Sequence, residues 1–137
     1  MGLILDSSVL IASERRGESI KQLIDRLRLL LNDADSAISA ITVIELTHGI
    51  YCARTDADRL RRRTFTEDIF QSLVVHPVSL EIAKLAGRVE GEQAAIGISI
   101  AIEDIIIGAT ALHLGFDVLA LNVKHFRFIP SLKIVTV

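Results

Sequence analysis

The sequence predicts an α/β fold, a three-layer α/β/α sandwich around a mostly parallel central sheet of about five strands. Half of the 137 residues are hydrophobic and rich in Ile, Leu, Val and Ala, whereas only 4% are aromatic. That bias is typical of parallel strands that helices cover on both faces. Short apolar runs alternate along the chain with longer segments of helical periodicity. The length fits one domain, which we expect to span residues 1–137.

The first elements are a strand and two helices. Leu3–Leu5 is a short apolar run typical of a buried strand. Ser7 or Ser8 can cap a helix that reaches about Ser13, because a serine hydroxyl accepts hydrogen bonds from free backbone N–H groups. Apolar side chains then recur at helical spacing from Ile20 to Leu31.

The middle of the chain predicts a second strand, Ala37–Ser39, followed by two helices. Thr42 and Glu45 have the spacing of a capping box, which places a helix start at Thr42 and its end at about Arg54. A charged helix follows from Arg59 to about Leu73.

The last part of the chain predicts three more strands and two helices. Ser79 caps the first of these helices, and Gly115 ends the second, which begins at Ile102 or Glu103. The strands are 73–76, 118–120 and 132–137. This alternation supports the layered fold.

Composition limits the classes of function. The formal net charge is −2, so nucleic-acid binding would need local basic patches. The only cysteine, Cys52, forms no internal disulfide, which suits a reducing compartment. No signal-peptide pattern opens the sequence, and the apolar run 96–107 is too short and too acidic to span a membrane. We therefore expect a cytoplasmic protein without a membrane partner.

Three acidic residues stand where carboxylates are least expected. Asp6 ends the first strand, Glu45 follows the second, and Asp104 lies in a very apolar helix. Unpaired buried carboxylates are costly, and carboxylates that converge raise one another's pKa. A divalent cation would relieve both effects, and oxygen ligands favour Mg²⁺ or Mn²⁺ over Zn²⁺.

Each acid also has an ordinary structural explanation. Asp6 could cap a helix, Glu45 could complete the capping box with Thr42, and Asp104 could interact with a helix dipole. The order and spacing of all three, with their flanking residues, favour the metal site.

Four blocks of the sequence together resemble PIN-domain proteins of the VapC type, the ribonuclease toxins of bacterial and archaeal toxin–antitoxin pairs. The blocks contain Asp6, Glu45, Asp104 and Asn122 in the family's order, and they extend over essentially the whole chain: 5–11, 41–50, 104–112 with Gly115, and 119–126 with 129–135. The resemblance implies a PIN-like sandwich and Mg²⁺- or Mn²⁺-dependent cleavage of RNA phosphodiester bonds.

The fourth block departs from a common PIN pattern. Where many PIN domains have a fourth acid, this chain has Asn122 and His125, and Ala120 replaces the usual Thr or Ser. Asn122 can offer an amide oxygen without charge. Glu103 is a second candidate to complete the site, and Asp117 is a third, although Asp117 precedes its strand and should lie at the opposite end. One metal is therefore easier to support than two.

The resemblance assigns roles to these residues. Asp6 and Asp104 would bind the metal, Glu45 would bind it directly or through water, and Ser8 would support a ligand or a water. Flanking cations must draw RNA towards an acidic centre. The candidates are Arg15, Arg16, Lys124, His125 and Arg127, with the arginine run 59–63 as an alternative that could equally be a solvated helix face.

The resemblance further implies a cognate antitoxin and a homodimer. Two other classes stay open at this point. A PIN-like domain with an incomplete acidic site could be a catalytically weak RNA-binding or scaffold protein, and an unrelated α/β phosphohydrolase could use the same cation chemistry.

Overall fold

A computed structural model describes all residues from Met1 to Val137. Its centre is a five-stranded sheet in which every neighbouring pair is parallel. The spatial order is β3-β2-β1-β4-β5. The strands are β1 (Gly2–Leu5), β2 (Asp35–Ser39), β3 (Val74–His76), β4 (Asp117–Leu119) and β5 (Ile134–Val135).

Six helices and a short 3₁₀ helix, Phe126–Phe128, accompany the sheet. None of the helices is both long and apolar enough to cross a membrane. The helices are α1 (Ser7–Arg15), α2 (Ile20–Leu30), α3 (Ala40–Tyr51), α4 (Asp56–Ser72), α5 (Leu80–Ala94) and α6 (Ile102–Leu114).

The strands are buried on both faces because helices cover each side. On one face Leu3, Leu5 and Ile38 pack with side chains of α1, α2 and α4. On the other face Ile4 and Val118 pack with side chains of α5 and α6. The alternation within β1 follows from the two-residue period of a strand. The predicted three-layer α/β/α sandwich is confirmed, and its sheet is entirely parallel.

The topology brings the chain's acids to one edge of the sheet. The carboxyl ends of β1 and β4 lie side by side, since Leu5 pairs with Leu119 and the Asp6 amide donates to the Leu119 carbonyl at 2.9 Å. β2 flanks β1 on its other side and leads directly into α3. In open α/β sheets ligands bind outside this edge.

Close packing holds α6 against the segment that follows β4. The end of the Ile129 side chain lies directly against Gly108, so a Cβ atom there would force that side chain to move. The middle of α6 and the chain after β4 are therefore in close contact.

Two of the expected helix caps are wrong. Asp6 caps α1 and accepts from the Ser8 amide at 3.3 Å, because the strand ends one residue before it; Ser7 and Ser8 are the first helical residues. Ser39 caps α3 and accepts from the Ile41 amide at 3.2 Å. Helix α3 therefore begins before Thr42, and the Thr42–Glu45 capping box does not form.

The remaining expectations on elements differ mainly at their boundaries. Strand β2 begins two residues earlier than predicted, at Asp35, and the predicted last strand shortens to Ile134–Val135. The cap at Ser79, the left-handed Gly115 and the bounds of α6 are confirmed.

Replacing the cap of α3 tests this helix start. We expect Ser39→Ala to lower the free energy of unfolding by about 1 kcal/mol, because an N-cap hydrogen bond is lost. We expect Thr42→Val to be neutral or stabilising, because the Thr42 hydroxyl is buried without a hydrogen-bond partner. Urea denaturation measures both, and a larger loss from Thr42→Val than from Ser39→Ala would show that Thr42 caps the helix.

Candidate active site

Asp6 lies at the carboxyl end of β1, and its side chain is held on one side by Ser8. The Ser8 hydroxyl donates to Asp6 Oδ2 at 2.5 Å, and the Ser8 amide donates to the same oxygen. The Ser8 hydroxyl oxygen in turn accepts from the Leu121 amide at 3.2 Å. Ser8 therefore links Asp6 to the segment after β4; its predicted support of a metal ligand stays a prediction.

Glu45 lies in the second turn of α3 and points back towards α1. Its Oε2 accepts from the Ser7 hydroxyl at 3.2 Å, while its Oε1 is buried and has no hydrogen-bond partner. The pKa of Glu45 is raised to about 6. Burial is the main cause, the Ser7 hydrogen bond opposes it, and the charges of three nearby acids contribute to the rise. Those acids are Asp6, Glu103 and Asp104.

Asp104 lies in the first turn of α6, opposite the 3₁₀ segment. Its Oδ2 is 2.7 Å from Nδ1 of His125. Burial raises the pKa of Asp104 and the His125 contact counteracts that rise, while the charges of Asp6 and Glu103 add to it. His125, predicted as an RNA-binding candidate, is therefore also the partner of a candidate metal ligand.

The structure brings four of the predicted acidic residues together. The charges of Asp6 and Glu103 raise the pKa of both Glu45 and Asp104, and the charge of Asp104 also raises the pKa of Glu45. Glu103 is thus the acid nearest in role to a fourth carboxylate.

The other two candidates to complete the site lie elsewhere. Asn122 follows β4 at the correct edge but is exposed, and its Oδ1 accepts from the Lys124 amide at 3.1 Å. Asp117 begins β4, so it lies at the opposite end of the sheet, with Lys133 Nζ 3.8 Å from its Oδ2.

The predicted RNA-binding cations differ in their exposure and in the contacts that they make. Arg15 is exposed and forms no ion pair, whereas Arg16 pairs with Glu18 at 3.0 Å. Arg127 lies over the Phe128 ring, 4.9 Å from its centroid. Lys124 is exposed beside the site segment.

The arginine run of α4 fastens that helix to its neighbours. Arg61 Nε donates to Glu14 of α1 at 3.1 Å, and Arg62 Nη1 donates to the Gly49 carbonyl of α3 at 2.6 Å. Arg59 donates to the Ala53 carbonyl just beyond α3. Most of the run therefore has a structural role, and only Arg63 is exposed without a recorded partner.

The acids fit a hard divalent cation by their chemistry. Carboxylate oxygens are the ligands that Mg²⁺ and Mn²⁺ prefer, and the unpartnered Oε1 of Glu45 is a free oxygen within the acidic group. No three side chains among the acids, histidines and cysteines already stand in positions from which they could hold a metal ion together. The residues that would hold such a cation are Asp6, Glu45 and Asp104.

Sequence reasoning missed two contacts of this site. Ser7 was interpreted only as a helix cap, although it holds Glu45 across 38 residues of chain, and His125 meets Asp104 across 21. No local pattern carries either signal, because both depend on which strand ends the topology places side by side.

Comparison with known proteins supports one family. Residues 3–128 match the PIN domain family. The chain is 31% identical over 137 residues to Ribonuclease VapC1 of Rickettsia felis and, likewise, to Ribonuclease VapC of Rickettsia bellii. Each alignment covers 100% of this chain and 97% of the relative.

Solved structures share the fold. VapBC2 from Rickettsia felis, bound to a DNA fragment from the promoter, superposes with a TM-score of 0.85 at 20% identity, over 100% of this chain and 99% of that one. DNA-bound VapBC from Salmonella typhimurium gives 0.83 at 23% identity, over 99% and 98%. With its parallel sheet, its acids at one sheet edge and this full-length similarity, the chain belongs to the PIN-domain family and is of the VapC type.

Proposed function

We propose that this chain is a divalent-metal-dependent endoribonuclease, the toxin of a type II toxin–antitoxin pair, with the activity carried by one PIN-like domain over residues 1–137. One observation supports this most strongly: Asp6, Glu45 and Asp104 converge at the carboxyl edge of the sheet, and a buried oxygen of Glu45 has no partner. Curated relatives at 31% identity are named ribonucleases. Enzymes that cleave phosphodiester bonds commonly use such carboxylates to hold Mg²⁺ or Mn²⁺.

The neighbouring side chains set the geometry of these acids. Ser8 fixes one oxygen of Asp6, Ser7 fixes Oε2 of Glu45, and His125 fixes Oδ2 of Asp104. Each carboxylate thus keeps a second oxygen that has no hydrogen-bond partner within the protein. Pre-positioned groups of this kind add to catalysis because they need not reorganise during the reaction.

A bound cation would supply an activated water and neutralise charge that develops on phosphorus. The chain's own part is to bind and orient the RNA so that attack lies in line with the leaving oxygen, and the Glu45 carboxylate would help to hold the cation, directly or through water. A pKa of about 6 leaves Glu45 mostly deprotonated at neutral pH, as this role requires. The products would be a 5′-phosphate and a 3′-hydroxyl.

We further propose that Arg15 and Lys124 attract the RNA backbone. Both are exposed and form no ion pair; Arg15 is the last residue of α1, and Lys124 lies in the segment that follows β4. Arg16 is a weaker candidate because Glu18 already binds it.

A cognate antitoxin and a homodimer complete the proposal. Structural relatives at 20–23% identity are VapBC assemblies, and two of these three were determined with DNA. Co-expression with the product of the adjacent small gene, followed by size-exclusion chromatography, should give one complex that does not cleave RNA. Separate elution with undiminished cleavage would contradict this partner.

Replacing Asp6 tests the catalytic assignment. We expect Asp6→Asn to reduce cleavage of single-stranded RNA by on the order of 100-fold or more with either Mg²⁺ or Mn²⁺, because a charged ligand is lost. The matched control is Asp117→Asn, an acid at the opposite end of the sheet, which should retain activity. Excess chelator should abolish cleavage by the unchanged protein.

The same comparison separates the enzyme from its alternative. If the native protein binds RNA but no RNA is cut with any cation, the chain is a catalytically weak RNA-binding protein. Equal cleavage by native protein and Asp6→Asn would also contradict the proposal.

Removing the charge of Glu45 tests how much burial and repulsion by the other acids destabilise the fold. Because the folded-state pKa lies above the ordinary 4.5, ionised Glu45 destabilises the fold above about pH 6 and does so less as pH falls towards 4.5. We expect Glu45→Gln to raise the free energy of unfolding by about 1 kcal/mol at pH 8, a figure discounted for partial exposure. Near pH 4 the gain should vanish.

Urea denaturation in chelator at both pH values measures this difference. A stability gain that is the same at pH 4 and pH 8 would show that packing, rather than charge, produces the effect.

A further inference from the structure

A small cleft opens between α1, α3 and α4 beside the acidic group. Its volume is about 140 Å³, which is room for several water molecules or for one planar ring system. Glu45 belongs both to this cleft and to the candidate active site. The cleft is lined by the cations Arg15 and Arg62, the acids Glu14 and Glu45, and Gly49, Phe65 and Thr66. Glu14 is already paired with Arg61 of α4.

Gly49 leaves one wall of the cleft open. It stands one helical turn after Glu45, on the same face of α3. A Cβ atom at this position would meet no atom within 4 Å, so the packing of the chain does not require glycine there. Glycine is also a poor helix former. Gly49 does not have a positive φ, so its backbone conformation does not explain why glycine stands there. The space above Gly49 is thus available to a ligand.

The cleft combines the groups that bind an unstacked nucleotide. Arg15 is an exposed cation without an ion pair, and Arg62 has a guanidinium group held at the cleft by the Gly49 carbonyl. Phe65 contributes an aromatic wall and Thr66 a hydroxyl group. Single-stranded RNA is recognised by such sites, in which bases stack on aromatic rings and guanidinium planes while cations attract phosphate.

We propose that this cleft binds the base of the nucleotide next to the scissile phosphate, with Gly49 keeping the space open. The proposal rests on the proposed ribonuclease function and adds a base-binding subsite to it. The lining favours RNA as the occupant, because Arg15 and Arg62 match phosphate and the Phe65 ring matches a base, directly beside the candidate catalytic carboxylate.

Nucleotide binding to the native protein, and to a variant whose side chain fills the cleft, tests this subsite. The four ribonucleoside 5′-monophosphates are titrated one at a time in chelator, and the backbone amide signals of the protein are followed by NMR. In the native protein we expect at least one nucleotide to shift the amides of Gly49, Phe65 and Thr66. In Gly49→Leu that nucleotide should bind about tenfold or more weakly, because stacking space is lost.

Gly87→Leu is the matched control. Gly87 is an exposed helical glycine of α5 with the same open surroundings, and it does not line the cleft. Thermal unfolding of both variants verifies that they fold. Binding that is unchanged in Gly49→Leu, or equally weakened in Gly87→Leu, overturns the proposal, as does the absence of nucleotide shifts at the cleft in the native protein.

Two further measurements separate the competing explanations. In RNA cleavage, Gly49→Leu should raise KM while Gly87→Leu leaves it unchanged. If Gly49→Leu instead keeps nucleotide binding but no longer co-purifies with the co-expressed antitoxin, the cleft belongs to the protein partner and the proposal is wrong. The nucleotide titration needs no cleavage, so its outcome stands apart from that of the Asp6→Asn experiment, which tests the ribonuclease function itself.

Discussion

Electrostatic repulsion at one edge of a parallel sheet is the constraint on which the site depends. The topology places the ends of β1, β2 and β4 together, and with them Asp6, Glu45 and Asp104. Burial and mutual repulsion raise the pKa values of Glu45 and Asp104, so the fold holds these groups against their preference for water. Functional sites commonly combine such groups at a cost in stability.

The partners of the acids explain how the arrangement persists. Ser7, Ser8 and His125 each contact one oxygen of one acid. Hydrogen bonds to the charged form favour ionisation, so they offset part of the burial cost while leaving the second oxygen available. Asp6 shows that the structural and functional explanations are compatible, because the same carboxylate caps α1 and belongs to the acidic group.

The sequence predicted the fold and singled out the three principal acids, because local sequence patterns indicate each of them. Apolar runs mark the strands, and acids at strand ends or in apolar helices are conspicuous. It could not predict that Ser39 rather than Thr42 caps α3, because the capping-box spacing occurs one turn inside the helix. Nor could it place Ser7 against Glu45, His125 against Asp104, or Gly49 beside a cleft. Those relations depend on the packing of elements that are far apart in sequence.

The contacts that the arginine run makes within the protein affect how RNA binding would depend on ionic strength. Arg61 and Arg62 hold α4 to α1 and α3, so their charges are largely committed to the protein itself. Nucleic-acid affinity depends on salt in proportion to the number of phosphates that a protein neutralises, since each contact releases condensed counterions. Arg61 and Arg62 would therefore displace few counterions if RNA bound, so these two residues should add little to the salt dependence of binding.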